Sequence, residues 1–293
     1  MPPILDRVGT DRGRPPQGRG PGRRPAFPHF PRKPALARDV VVERARHLLA
    51  DSDTLQPWRT FAPPLEMTTE SAYDLQDEVA RLRQHRGESI IGYKVGCASP
   101  AIRAQLGLSE PIFARVFGTN CFPHGTRLDH GRFANLAIEG ELAVRLARDL
   151  PAERLTDADY RDAIASVFPV IELHHYLLPD DARAAALIAS GGMHAGLVLP
   201  ERDSDGSNSV PTVTRLDVFI NDEHAGKTGE PWTMGGPAAT LRWLSARLAD
   251  RGLRLRRGDV ILTGSALPLY PVGPGSRIVV AATPSGRCSA AFD

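Results

Sequence analysis

Ile138-Glu139-Gly140-Glu141-Leu142-Ala143-Val144-Arg145-Leu146 alternates as a β-strand does. Side chains two apart on a strand share a face, so Glu139 and Glu141 point the same way. Their neighbours Ile138, Leu142 and Val144 are apolar, which predicts a part-buried strand. Two like charges on one buried face repel, and both are costly to strip of water. Either one carboxylate takes a proton or a cation sits between them. A second apolar strand, Val167 to Leu173, carries Glu172 near its end. Were that third carboxylate to converge on the pair, the result would be a hard, all-oxygen site suited to Mg²⁺ or Mn²⁺. On spacing alone, three solvent-facing glutamates on half-exposed strands remain an open reading.

Outward from this stretch, strands outnumber helices. Ile90 to Val95, Ala195 to Leu199, Val218 to Asn221, His224 to Thr228, Val260 to Leu262, Ile278 to Ala282 and Cys288 to Phe292 are strand-sized apolar or alternating runs. Asn221-Asp222 and Pro284-Ser285-Gly286 mark hairpin turns. Helical spacing begins at Asp39 and recurs from Ser71 to His85, where Thr68 or Thr69 offers a cap, and from Ala101 to Leu106. The clearest helix is Pro237 to Asp250, with Leu241, Leu244 and Leu248 on one face and Gly252 beyond its end. Hairpin-length links favour a mixed, strand-rich α+β domain over a regular βαβ series.

Composition sets the outer bounds. The 293 residues are 42% hydrophobic and 24% charged, ordinary values for a globular protein. The net charge of +2 is uneven: residues 1–38 hold nine Arg or Lys against two Asp, and the remainder holds 27 basic against 32 acidic residues. A mildly acidic body excludes a nucleic-acid surface. Segment 1–38, with nine prolines, reads as a disordered basic extension, leaving 39–293 as a single catalytic domain. No run approaches the about 18 apolar residues that cross a bilayer, and no apolar leader segment is evident. Three cysteines without a C-x-x-C spacing predict free thiols and a cytoplasmic protein.

Two further motifs invite chemistry. Lys94, in Gly92-Tyr93-Lys94-Val95-Gly96, lies within an apolar run. Buried near carboxylates it can stay charged as their partner; desolvated alone it becomes an acid/base, and at a strand edge it simply reaches water. Thr263-Gly264-Ser265 follows a buried strand and presents backbone and hydroxyl donors that suit a carboxylate, or merely forms a turn.

Taken in order, Gly92-Tyr93-Lys94-Val95-Gly96, Glu139-Gly140-Glu141, Pro169-Val170-Ile171-Glu172 and Gly258-Asp259-Val260-Ile261-Leu262-Thr263-Gly264-Ser265 resemble the 2-oxopent-4-enoate hydratases and 4-oxalocrotonate decarboxylases of the fumarylacetoacetate hydrolase superfamily. The resemblance runs from about residue 40 to the C-terminus. It implies a strand-rich β roll or sandwich with flanking helices. It also implies Mg²⁺ or Mn²⁺ held by Glu139, Glu141 and Glu172, a short 2-oxo or 2-hydroxydienoic acid as substrate, and a homo-oligomer. Lys94 matches the family's active-site lysine, while Thr263, Gly264 and Ser265 would bind the substrate carboxylate. Three departures stand out: Ile112 where relatives often carry an acid, His175 where Asp is common, and Ser190-Gly191-Gly192-Met193-His194 in place of a polar stretch. His174, His175 or His194 could then supply an acid/base near neutral pH, with His175 taken as the catalytic one. A C–C hydrolase or tautomerase on the same site, and a non-catalytic partner subunit, are the competing readings.

Overall fold

The protein's computed structural model describes residues 36–58, 61, 67–151, 155–178, 184–201 and 212–293. The segment expected to be disordered lies outside the described residues as far as residue 35. Helix α1 (Arg38–Asp53) opens the described chain, followed by α2 (Thr69–His85). Thr68 caps α2 by accepting the Ser71 amide at 3.1 Å, with Glu70 in the first turn. Next come β1 (Ile90–Gly96), α3 (Pro100–Leu106), β2 (Ile112–Phe117), β3 (Cys121–Phe122), β4 (Thr126–Leu128) and β5 (Ala137–Leu146). The middle of the chain holds α4 (Asp157–Asp162), β6 (Ile164–His174), α5 (Ala184–Ala189) and β7 (His194–Val198). The last third runs β8 (Arg215–Ile220), β9 (Glu223–Thr228), α6 (Pro237–Ala249), β10 (Val260–Leu262), β11 (Tyr270–Pro271), β12 (Arg277–Thr283) and β13 (Gly286–Phe292).

These strands make two mixed sheets, as a strand-rich α+β reading requires. The larger runs β2-β1-β10-β5-β6-β7-β3, with β11 on β5; the smaller runs β4-β13-β12-β8-β9. The two hairpins read from turn residues form as expected. Asn221 and Asp222 both adopt positive φ, and the two-residue link sets Ile220 opposite Glu223. Elsewhere the expectation of hairpin-length links fails. Strand β10 inserts between β1 and β5, parallel to the former, so the central neighbours are far apart in sequence. Non-local pairing of this kind leaves no trace in turn residues.

The large sheet curls until β2 meets β7. Its concave face is filled at one end by Val116, Ala143, Phe168, Val170, Leu197, Val260 and Leu262. Its convex face carries Ile138, Leu142, Val144, Ile171 and Leu173 into the main core, where Val218, Ile278 and Val280 of the small sheet and Leu241, Leu244 and Leu248 of α6 meet them. Helices α1, α2 and α5 pack on one another around Leu48, Leu75 and Ile188, joined by Ile112 of β2. Strand β5 therefore divides its side chains by parity. Odd positions face into the roll and even positions face the second sheet.

Gly140 sits between the two glutamates on the even face. A Cβ there would stand 2.4 Å from a methyl of Val218 and 3.3 Å from one of Val280. The small sheet thus closes against the back of the acidic strand only because that position lacks a side chain. Gly140→Ala is expected to destabilise the protein by about 1–3 kcal/mol through overpacking, seen as a lowered urea midpoint with unchanged slope; an unaltered midpoint would show that the sheets do not meet there.

Candidate metal and substrate site

Register brings the carboxylates together. In the antiparallel β5–β6 pair, Glu139 lies directly opposite Glu172, and Glu141 opposite Val170. All three side chains face into the curled sheet at the end away from its apolar filling. Glu141 and Glu172 are each about 1% exposed, whereas Glu139 is only half-buried. On the other side of β10, Lys94 reaches in from β1 and places Nζ 2.9 Å from Glu172 Oε1. Room for the ammonium comes from Gly192, at φ +66°, whose carbonyl accepts from Nζ at 3.4 Å and where a Cβ would stand only 3.0 Å from it.

The charges are mutually dependent. Burial by itself would strip Lys94 of its proton, but the charges of Glu172 and then Glu139 outweigh it and raise the pKa above the usual lysine value. Lys94 is therefore a cationic partner and donor, not a base. Burial likewise works against Glu172 as an anion, yet Lys94, His174 and a hydrogen bond from His194 hold its pKa below the usual carboxylate range. Glu141 goes the other way. Burial, followed by repulsion from Glu172 and Glu139, raises it well above an ordinary glutamate. Its Oε1 accepts the Gly264 amide, and its Oε2 has no hydrogen-bond partner.

The histidines follow the parity of β6. His174 is two residues past Glu172, on the same face, and its Nε2 lies 3.4 Å from Glu139 Oε2 and 3.6 Å from Glu172 Oε2. His194 on β7 places Nδ1 2.7 Å from Glu172 Oε1. His175, the expected acid/base, does not join the carboxylates, though it lines a cavity that His194 also lines. Its Nδ1 accepts the Ala134 amide at 3.2 Å and its ring tilts against Phe133 at 5.6 Å. Burial, followed by the charges of His194 and His174, lowers its pKa to about 4. The period-two rule that paired Glu139 with Glu141 was enough to single out His174.

The turn after β10 is also settled in detail. Thr263 Oγ1 donates to the Leu142 carbonyl at 2.8 Å, and Ser265 Oγ donates its single proton to the Leu267 carbonyl at 2.8 Å, with the Gly140 carbonyl also within reach at 3.2 Å. Both hydroxyls hold the turn against β5, and the Gly264 amide is the donor that reaches an acidic side chain. Gln76 of α2 is a residue that sequence reasoning passed over. Its amide donates to the Phe113 and Ile188 carbonyls at 3.1 and 2.7 Å and so fixes the helices beside the Ser190–His194 turn. A cavity of about 260 Å³ between α1, α2 and β2 borders the cluster at Gly191 and His194.

The donor set fits a divalent cation. One ligand atom from each of Glu139, Glu172 and His174 lies within 4.8 Å of the others. Glu141 Oε2, Glu172 Oε2 and both nitrogens of His174 are buried without hydrogen-bond partners. Anionic oxygens left this way are unfavourable unless a cation completes them.

A curled sheet backed by a second sheet, with buried carboxylates across one strand pair, defines a metal-site scaffold. Residues 108–292 match the fumarylacetoacetate (FAA) hydrolase C-terminal family. The 2-keto-4-pentenoate hydratase of Burkholderia vietnamiensis is 30% identical over 233 residues, covering 79% of this chain and 88% of that protein. The 2-hydroxyhexa-2,4-dienoate hydratase of Comamonas testosteroni is 27% identical, over 85% of this chain and 95% of that one. The 4-oxalocrotonate decarboxylase from Pseudomonas putida G7, solved with magnesium and adipate, superposes with a TM-score of 0.79 at 26% identity, covering 89% of this chain and all of that one. The chain belongs to the fumarylacetoacetate hydrolase family, as an enzyme of its hydratase/decarboxylase type.

Two measurements check the electrostatics. In the metal-free protein, imidazole NMR is expected to show His175 neutral down to about pH 4. The unfolded chain takes up this proton near pH 6.5, so His175 lowers stability as the pH falls from 6.5 to about 4 and contributes no change above that window. Lys94→Met, which leaves Glu172 without its buried partner, is expected to cost roughly 3–5 kcal/mol at neutral pH. Part of that loss should return in acid as Glu172 takes a proton; a loss independent of pH would refute the pairing.

Proposed function

We propose that the protein is a divalent-metal-dependent lyase that hydrates or decarboxylates a short 2-oxo or 2-hydroxydienoic acid. The observation that carries this reading is the pairing of half-buried Glu139 with buried Glu172, with Glu141 beside them and Lys94 as counter-charge. Glu139, Glu141 and Glu172 would hold Mg²⁺ or Mn²⁺. Bound there, such an ion supplies Lewis acidity toward the adjacent carboxylate and 2-oxygen of the substrate, where enolate charge develops.

The protein's own groups do the rest. Lys94, kept protonated, holds Glu172 ionised and offers a donor beside the place where negative charge accumulates. Glu141, whose carboxyl favours a proton when no ion is bound, would give up that proton on metal binding and turn its unpartnered Oε2 toward the ion. The Gly264 amide holds its other oxygen still. The Thr263-Gly264-Ser265 turn, whose first two amides are given to Leu142 and Glu141, would offer the Ser265 amide to the substrate carboxylate. The apolar end of the roll, at Val170, Leu197 and Leu262, keeps water from the rear of the site.

The names of the relatives support the substrate class: two are hydratases of unsaturated 2-oxo or 2-hydroxy acids, and the third is a decarboxylase. Family resemblance supports a homo-oligomer. Free Cys97, Cys121 and Cys288 support a reducing compartment, the cytoplasm. Among the described residues, no helix is long and apolar enough to cross a membrane.

The test is Mg²⁺- or Mn²⁺-dependent loss of dienol absorbance on a panel of 2-hydroxydienoic acids. A 4-hydroxy-2-oxo acid marks hydration, released CO₂ marks decarboxylation, and cleavage into two acids marks a C–C hydrolase instead. Glu139→Gln is expected to lower turnover by roughly 10²-fold or more. Undiminished turnover by that variant after chelation would sink the proposal.

A further inference from the structure

His174 is 3% exposed, and neither of its ring nitrogens has a hydrogen-bond partner. Nε2 points between Glu139 Oε2 and Glu172 Oε2, at 3.4 and 3.6 Å. Glu172 Oε1 is already taken by Lys94 and His194, at 2.9 and 2.7 Å, so Oε2 is its free oxygen. The unpartnered atoms of the two residues thus face one another. Opposite His174 on β5 is Ala137, whose small side chain leaves the imidazole room. Glu141 is absent from the group of mutually close donors, and its Oε1 accepts the Gly264 amide of the β10 turn.

Two species can fill such a gap, a shared proton or a cation. A charged N–H···O bond draws its atoms to about 2.7–2.9 Å, and these pairs are wider. Neighbouring ligands around an ion with bonds of about 2.1 Å stand about 3–3.5 Å apart, which the 3.4 Å pair matches and the 3.6 Å pair approaches. We infer that His174 is a nitrogen ligand of the metal centre beside Glu139 and Glu172, and that the site selects Mn²⁺ or a later first-row dication over Mg²⁺. Imidazole suits such ions, whereas Mg²⁺ favours oxygen donors alone. The inference rests on the metal-dependent reading above and sharpens it.

The test uses the full-length protein, stripped of metal and titrated calorimetrically with Mn²⁺ and with Mg²⁺. Electron spin-echo spectroscopy of the Mn²⁺ form then reports nitrogen at the ion. The expected result is ¹⁴N coupling in the wild type, retained in His194→Gln and lost in His174→Val, with Mn²⁺ bound at least tenfold more tightly than Mg²⁺. That preference should shrink at least threefold in His174→Val. If this variant fails to fold, ¹⁵N-histidine labelling of the wild type and of His194→Gln decides instead: a coupling that changes isotope in both supports His174, and one that vanishes with His194 overturns it. Tight Mn²⁺ binding without nitrogen coupling would overturn the inference and leave an all-carboxylate site intact. No heat from either ion would overturn both.

Discussion

Glu139 and Glu172 face each other across an antiparallel strand pair, on the buried side of a curled sheet. Like charges in register are unfavourable in any sheet, and more so where water is excluded. The neighbouring structure supplies what that pairing demands. Lys94 comes from β1, His194 from β7, His174 from β6 and the Gly264 amide from the turn after β10. Each strand of the central sheet around the site thus contributes a group of opposite or neutral sign. The anionic cluster and the topology that collects its partners are one feature seen at two scales.

The same requirement explains where the glycines fall. Gly140 lets the small sheet lie against the reverse side of the acidic strand, so that side is sealed by Val218 and Val280. Gly192 gives the lysine head its space and a carbonyl to face. Sealing one side and crowding the other lowers the local dielectric and strengthens every interaction within the cluster. Such a site is set before substrate arrives, which is the condition for stabilising charge that develops only during reaction.

Within this scaffold the histidines add a second kind of donor. The resemblance to hydratases and decarboxylases rests on Lys94, the glutamates and the β10 turn, all of which the fold gathers at one end of the roll. His174 and His194 bring imidazole into a setting otherwise made of oxygen and ammonium. They set nitrogen donors beside Glu139 and Glu172 while leaving the acidic frame in place.

Much was legible in the residues themselves. Alternation disclosed β5, a continuous apolar run disclosed β6, and apolar stripes with their caps disclosed α2 and α6. Asn221-Asp222 disclosed the β8–β9 hairpin. These are local properties, governed by a period or by a backbone conformation within a few residues. Parity alone put Glu139 and Glu141 on one face, and it held equally for Glu172 and His174. What no local pattern contains is register and order: Glu139 opposite Glu172, β10 between β1 and β5, and Lys94 within reach across that insertion. Contacts between residues 78 apart, such as Lys94 and Glu172, are decided by how whole faces pack and which strand pairs satisfy their backbone groups together. Only the tertiary structure could therefore set Ala134 and Phe133 against His175 and bring Glu139 across to His174.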